Sequence, residues 1–156
     1  MDLTEFLLAR IAEDEVAARA ASIGSAEWRL DDLDESVLWW PPERAEVIEK
    51  ERQHGLPLSD HWRGMTIESA GDQIAPHVVR WDPAHVLAEC EIKRRIAAEH
   101  PKYDGYGLGA YCQVCAPCDA DGNPDVYDDT HWPCPTLRLL ALPYADHPDY
   151  REEWRP

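Results

Sequence analysis

Positive charge is scarce in this chain. Lysine occurs three times, and Lys and Arg together number 15 against 31 Asp and Glu, for a net charge of −16. A phosphate backbone is repelled by such a surface, so direct nucleic-acid binding is disfavoured unless basic residues cluster. The densest basic spot is only Lys93-Arg94-Arg95. Long apolar runs are missing too, and none approaches the roughly 18 residues of a membrane span. The opening Met1-Asp-Leu-Thr-Glu-Phe-Leu-Leu8 lacks the basic stretch and long apolar core of a signal peptide. The expectation is a cytoplasmic protein that does not enter a membrane. G-x-S-x-G, H-E-x-x-H, Walker and dinucleotide motifs are all absent. Phe and Asn occur once each, beside 12 Arg and 7 Trp, a bias that suggests a GC-rich genome.

What is present suits a folded chain. Hydrophobic residues make up 44% of 156, enough for a real core and too many for disorder. The length predicts a single domain over 1–156. Asp2, with Glu5 three residues on, reads as a capping box that opens a helix over 2–22. Leu3, Phe6, Leu7 and Ile11 fall on one stripe of it. Trp28 with Leu30, and Val37-Leu-Trp-Trp40, read as short strands joined by the acidic turn Asp31–Glu35. Glu43 to Gln53 reads as helical, and Met65-Thr-Ile67 allows another short strand. In Asp72–Trp81, Pro76 suits a helix only near its first turn. Asp82-Pro83 is a helix start, an N-cap followed by proline at N1, and that helix runs over 83–100. Val86, Leu87, Cys90 and Ala97 share one face of it. Ile92 and Ile96 lie on another, which predicts neighbours on two sides. Residues 101–133 have the composition of one long loop, a length that needs something to order it. Leu137, Leu139, Leu140 and Leu142 predict a short buried helix over 136–142, and the tail from Asp146 has room for one helical turn.

Cysteine supplies the chemistry. Cys112 and Cys115 have the two-residue spacing of a zinc knuckle, and Cys134 follows after 18 intervening residues, at the start of the last helix. Reduced thiols in a cytoplasm favour metal over disulfides. A structural zinc site is closed by four protein ligands. Three candidates compete for the fourth place: His131, Cys118 and His100. Spacing alone ranks His131 first, because Pro117 hinders Cys118 and His100 lies across 11 residues from the knuckle. Cys90 sits among apolar residues of its helix and reads as core.

Other constellations fit less well. A zinc deaminase needs Pro before its C-x-x-C, and Tyr111 stands there. An iron–sulfur regulator could use Cys90, Cys112 and Cys115, but the setting of Cys90 and the acidity oppose it. Asp119 to Asp125 has the look of a calcium loop, with Pro124 where Gly is required and Thr130 where Glu is. A thioredoxin-like role for Cys112 and Cys115 lacks a βαβ context. The carboxylates of Asp31, Asp32, Asp34 and Glu35 suit a solvated loop. Trp39-Trp40-Pro-Pro could anchor a partner if exposed.

Three segments also resemble a known family. Trp81-Asp-Pro-Ala-His-Val-Leu-Ala-Glu-Cys-Glu-Ile-Lys-Arg-Arg-Ile96 is similar to an internal block of an uncharacterised, DUF6221-like family found in actinobacteria and their phages. Trp132-Pro-Cys-Pro-Thr-Leu-Arg-Leu-Leu-Ala-Leu-Pro-Tyr144 and the residues after it, to Pro156, resemble its closing block. Met1 to Ala21 resembles its start, and residues 26–76 do not align. The resemblance supplies no catalytic residue. It does imply a ligand pattern: a histidine ending the long helix, then C-x-x-C, then the cysteine of Trp-Pro-Cys. Carried over, these are His100, Cys112, Cys115 and Cys134. Cys118 and His131 depart from that pattern, and position 90 is often Val.

The expectation is therefore a mainly α, small domain with room for a short β hairpin. A zinc-stabilised loop–helix occupies 100–142 and holds structural Zn²⁺. In function it reads as a non-enzymatic interaction or accessory protein with a protein partner. An acidic DNA mimic that inhibits a nucleic-acid-binding protein is the second reading. An enzyme with a site in residues 26–76 is the third.

Overall fold

A computed structural model describes residues 1–22, 25–30, 36–38, 53–55, 65–66, 74–105, 109–112, 114–115 and 132–156. Among them the chain is α-rich. Helices α1 (Leu3–Ala21), α2 (Ile74–Arg80), α3 (Pro83–Glu99) and α4 (Pro135–Ala141) carry most of the described backbone. Strands β1 (Arg29–Leu30), β2 (Ser36–Leu38) and β3 (Met65–Thr66) form one small antiparallel sheet in that order. Strands β4 (Lys102–Gly105) and β5 (Gly109–Cys112) form a separate hairpin. The chain divides into two compact units, Met1–Glu13 with Cys90–Pro156, and Asp14–Glu89. The predicted helix at 43–53 and the Trp39-Trp40 anchor lie outside the described residues.

The first unit is built on the stripe at the start of α1. The Asp2 carboxylate accepts from the Glu5 N–H at 2.9 Å, and the Glu5 carboxylate accepts from the Asp2 N–H at 2.8 Å. This reciprocal box satisfies two of the N–H groups that a helix start leaves open. One turn later the stripe goes under. Leu3, Phe6, Leu7 and Ile11 are fully buried, each worth about 1.5–3 kcal/mol in transfer free energy. Leu3, Phe6 and Leu7 pack with Ala97, Leu137, Ala141 and Trp154, and with the thiols of Cys112 and Cys134. The Phe6 ring meets Tyr144, Tyr150 and Trp154 at centroid distances of 6.5, 5.9 and 5.1 Å. The tail makes that contact through a 3₁₀ turn at Glu152–Trp154, the helical turn expected there.

One charged residue interrupts this stripe. Arg10 is buried, with its guanidinium 5.3 Å from the Phe6 ring centre. It donates to Glu13 Oε1 at 2.7 Å and lies 3.7 Å from Asp149 Oδ2. A buried cation survives only when partnered in this way.

The second unit holds the small sheet, α2 and the start of α3. Leu30 pairs with Val37 and Arg29 with Leu38. Val37 also pairs with Met65. These are the short strands that the alternation predicts, and Val37 is fully buried. Pro76 falls in the first turn of α2, where its missing N–H costs little. Asp82 caps α3, its Oδ1 accepting from the His85 N–H at 2.8 Å, and Pro83 follows at the first helical position.

Three expectations need correction. Residues 101–133 are not one loop: the first part is the β4–β5 hairpin, paired from Lys102↔Cys112 to Gly105↔Gly109. Its strands carry Gly, Asp and Tyr instead of β-branched residues, and Gly109 adopts a left-handed φ of 89° at the turn side. Backbone pairing therefore holds a segment that composition reads as irregular. Among the described residues the second face of helix α3 is only partly covered, since Ile92 is 56% exposed whereas Ile96 is half-buried. Helix α4 is buried along only one stripe: Leu137 and Ala141 are fully covered, whereas Leu139 and Leu142 face solvent. Cys90 is buried, as its apolar setting predicts.

Candidate metal centre

The four groups of the centre come from three places on the chain. His100 directly follows α3, and Cys112 ends β5. Because Lys102 pairs with Cys112, the hairpin folds the chain back and sets Cys112 two residues from register with His100. Cys115 follows in the turn after β5. Cys134 is the N-cap of α4. The Trp132 N–H donates to the Ala110 carbonyl at 2.9 Å, which ties the approach to α4 to strand β5.

The donor atoms converge. His100 Nδ1 lies 3.4 Å from Cys112 Sγ, 3.3 Å from Cys115 Sγ and 3.7 Å from Cys134 Sγ. All four donor atoms fall within 4.8 Å of one another. A ring nitrogen has one in-plane lone pair or one proton, so it cannot bond three sulfurs at once. Three thiols around one nitrogen are therefore not explained by hydrogen bonding. Their spacing is consistent with the geometry of a four-coordinate metal site. With Zn–S near 2.3 Å and Zn–N near 2.0 Å, a tetrahedron has S···N edges of about 3.5 Å. The three separations lie within about 0.2 Å of that edge. This compact cluster is able to hold a metal ion.

Burial sharpens the point. Cys112 and Cys134 have no exposed surface. Burial pushes the Cys134 thiol up to about 12, with the neighbouring Cys112 and Cys115 sulfurs adding to the rise. The Leu137 backbone N–H opposes it by favouring the thiolate. Without a positive charge the Cys134 group stays protonated at neutral pH. A divalent cation reverses this and deprotonates coordinating thiols.

The four residues that the family resemblance implies as ligands, His100, Cys112, Cys115 and Cys134, thus lie together in space. His131 and Cys118 lie outside the described residues, and Cys90 is not among the grouped side chains. One neighbour had no place in the sequence reading. Thr136 Oγ1 is 3.6 Å from Cys115 Sγ, within reach for its hydroxyl to donate to that sulfur. Its position two residues beyond Cys134, in the first turn of α4, was the available signal.

A family model described as "Family of unknown function (DUF6221)" matches residues 1–156. No curated protein and no solved structure matches the chain.

Proposed function

The chain belongs to the family of unknown function DUF6221, and from that premise we propose that His100, Cys112, Cys115 and Cys134 hold one structural Zn²⁺. We further propose that the protein is a non-enzymatic interaction or accessory protein of actinobacteria or their phages. The observation that carries the metal reading is the ring of three sulfurs at 3.3–3.7 Å from His100 Nδ1. The donor set supports zinc in particular, because three thiolates and one imidazole suit a borderline-soft, tetrahedral ion. A bound zinc supplies charge neutralisation and a cross-link, not a reaction step. All four positions are taken by protein, which leaves no place for water or substrate. Within the residues, His100 fixes the end of α3, Cys112 and Cys115 fix the hairpin, and Cys134 fixes the start of α4.

Elemental analysis of protein purified without chelator tests the metal reading. The expected result is one zinc per chain. Chelation is expected to speed hydrogen exchange first in β4, β5 and α4, because metal binding is coupled to local folding. Protein that carries no metal and keeps those amides protected refutes the reading. The interaction role is tested by affinity capture from the organism that encodes the chain, where one stoichiometric protein partner is expected.

The charge of −16 favours a second reading, an acidic surface that competes with DNA for a nucleic-acid-binding protein. Competition with DNA for the captured partner, lost at high salt, separates this from a neutral docking role. The third reading, an enzyme site in residues 26–76, would need His54, His61 or His77 beside carboxylates in a pocket. His54 and His77 are exposed, and His61 lies outside the described residues.

A further inference from the structure

A second site lies in the Asp14–Glu89 unit and owes nothing to the metal. A cavity of ≈ 260 Å³ is lined by Trp28 and Trp81, by Ala17, Ala18 and Ala21 of α1, by Pro83 and Val86 of α3, and by Asp14. The size falls just under the roughly 300–1,000 Å³ of drug-sized ligand sites, so it suits a fragment-sized guest.

Both tryptophans are held in place. The Trp28 indole N–H donates to the Ser25 carbonyl, and its backbone N–H donates to Asp82 Oδ2, each at 3.1 Å. The Ala84 N–H donates to the Ala26 carbonyl at 3.0 Å, which pins this segment to the start of α3. Trp81 sits in the turn between α2 and α3, with the His85 ring in a T-shaped contact at 4.7 Å between centroids. Trp81 nevertheless remains 46% exposed, which is unusual for so large an apolar ring.

The floor and walls decide what can enter. The alanine, proline and valine side chains of the lining offer no ligand to a hydrated metal ion. Indole faces attract cations, Trp most strongly of the aromatics. A carboxylate on the wall and a net charge of −16 add a field that favours positive guests over neutral ones. A guest that meets all three conditions is a cation whose charge is wrapped in carbon and sheds water cheaply. We propose that Trp28, Trp81 and Asp14 form a binding site for an alkylated ammonium group. Either a free choline-like molecule or a methylated lysine side chain of a peptide presents that chemistry.

The test is calorimetry and indole N–H chemical shifts on the full chain, with choline and its neutral isostere 3,3-dimethyl-1-butanol. Choline is expected to bind at least about tenfold tighter than the alcohol. Trp81→Ala should abolish that preference, and its ring is exposed enough to be removed without unfolding the unit. Asp14→Asn should weaken choline several-fold and leave the alcohol unchanged. Equal binding of choline and alcohol, absence of choline binding, or unchanged preference in Trp81→Ala overturns the proposal. A trimethyl-lysine peptide, run against its unmodified form, separates the two sources. Tighter binding of the methylated peptide than of free choline assigns the site to a protein tail, and the reverse order assigns it to a small molecule. Discrimination by neither pair overturns the site.

Discussion

Replacing His100 by alanine removes the nitrogen on which three sulfurs converge at 3.4, 3.3 and 3.7 Å. The cost can be sized. Structural zinc binding to small metal domains is worth about 10–16 kcal/mol in apparent free energy at neutral pH. One donor of four is then worth about 2.5–4 kcal/mol, or a loss of about 10²- to 10³-fold in affinity. Cysteine ligands remain, so the variant should still bind zinc, but weakly enough for a moderate chromophoric chelator to strip it. The assay is competition with that chelator, read by absorbance and checked by elemental analysis. His131→Ala serves as the paired variant and should retain zinc like the wild type. If His131→Ala loses the metal and His100→Ala keeps it, the assignment of the fourth ligand is wrong. If both keep it, the imidazole contributes nothing and the site is held by sulfur alone.

Three further outcomes follow from the same structure. Loading zinc should release about three protons near neutral pH, because thiols coordinate only as thiolates and ordinarily ionise near 8.5. Burial holds the metal-free Cys134 thiol still higher, at about 12; the proton count is read from calorimetry in buffers of different ionisation enthalpy, and apparent affinity should fall as pH drops. Phe6→Ala empties the centre of the ring formed by Tyr144, Tyr150 and Trp154, and should cost about 3–5 kcal/mol in urea unfolding of zinc-loaded protein. Gly109→Ala meets no atom within 4 Å of the new methyl, so only its φ of 89° is penalised; the expected loss is about 1 kcal/mol by the same unfolding assay, with zinc content unchanged.

Local rules were legible wherever a residue's partners are its near neighbours in sequence. The Asp2–Glu5 box and the Asp82-Pro83 start are of that kind, since both partners lie within one helical turn. The stripe Leu3–Ile11 was legible because its period matches a helix that has one buried side. The same rule failed at Ile92, Leu139 and Leu142, all of which are exposed. An apolar residue shows that a face could be covered, and only the neighbouring elements decide whether it is. The hairpin at 102–112 failed for the opposite reason. Its glycines and aspartate read as turn residues, while cross-strand hydrogen bonds, which pair residues up to ten apart, hold them extended.

The cysteine spacing alone announced a metal knuckle and a third sulfur at the start of the last helix, because C-x-x-C brings two thiols together through local backbone geometry. It could not choose the fourth donor, and by distance along the chain it favoured His131 over His100. Tertiary structure places His100 beside the three sulfurs, because the β4–β5 pairing reverses the chain and returns Cys112 to the end of α3; His131 lies outside the described residues. Separation along the sequence sets the entropic cost of closing a loop, but it does not say which donors meet once backbone pairing has closed it.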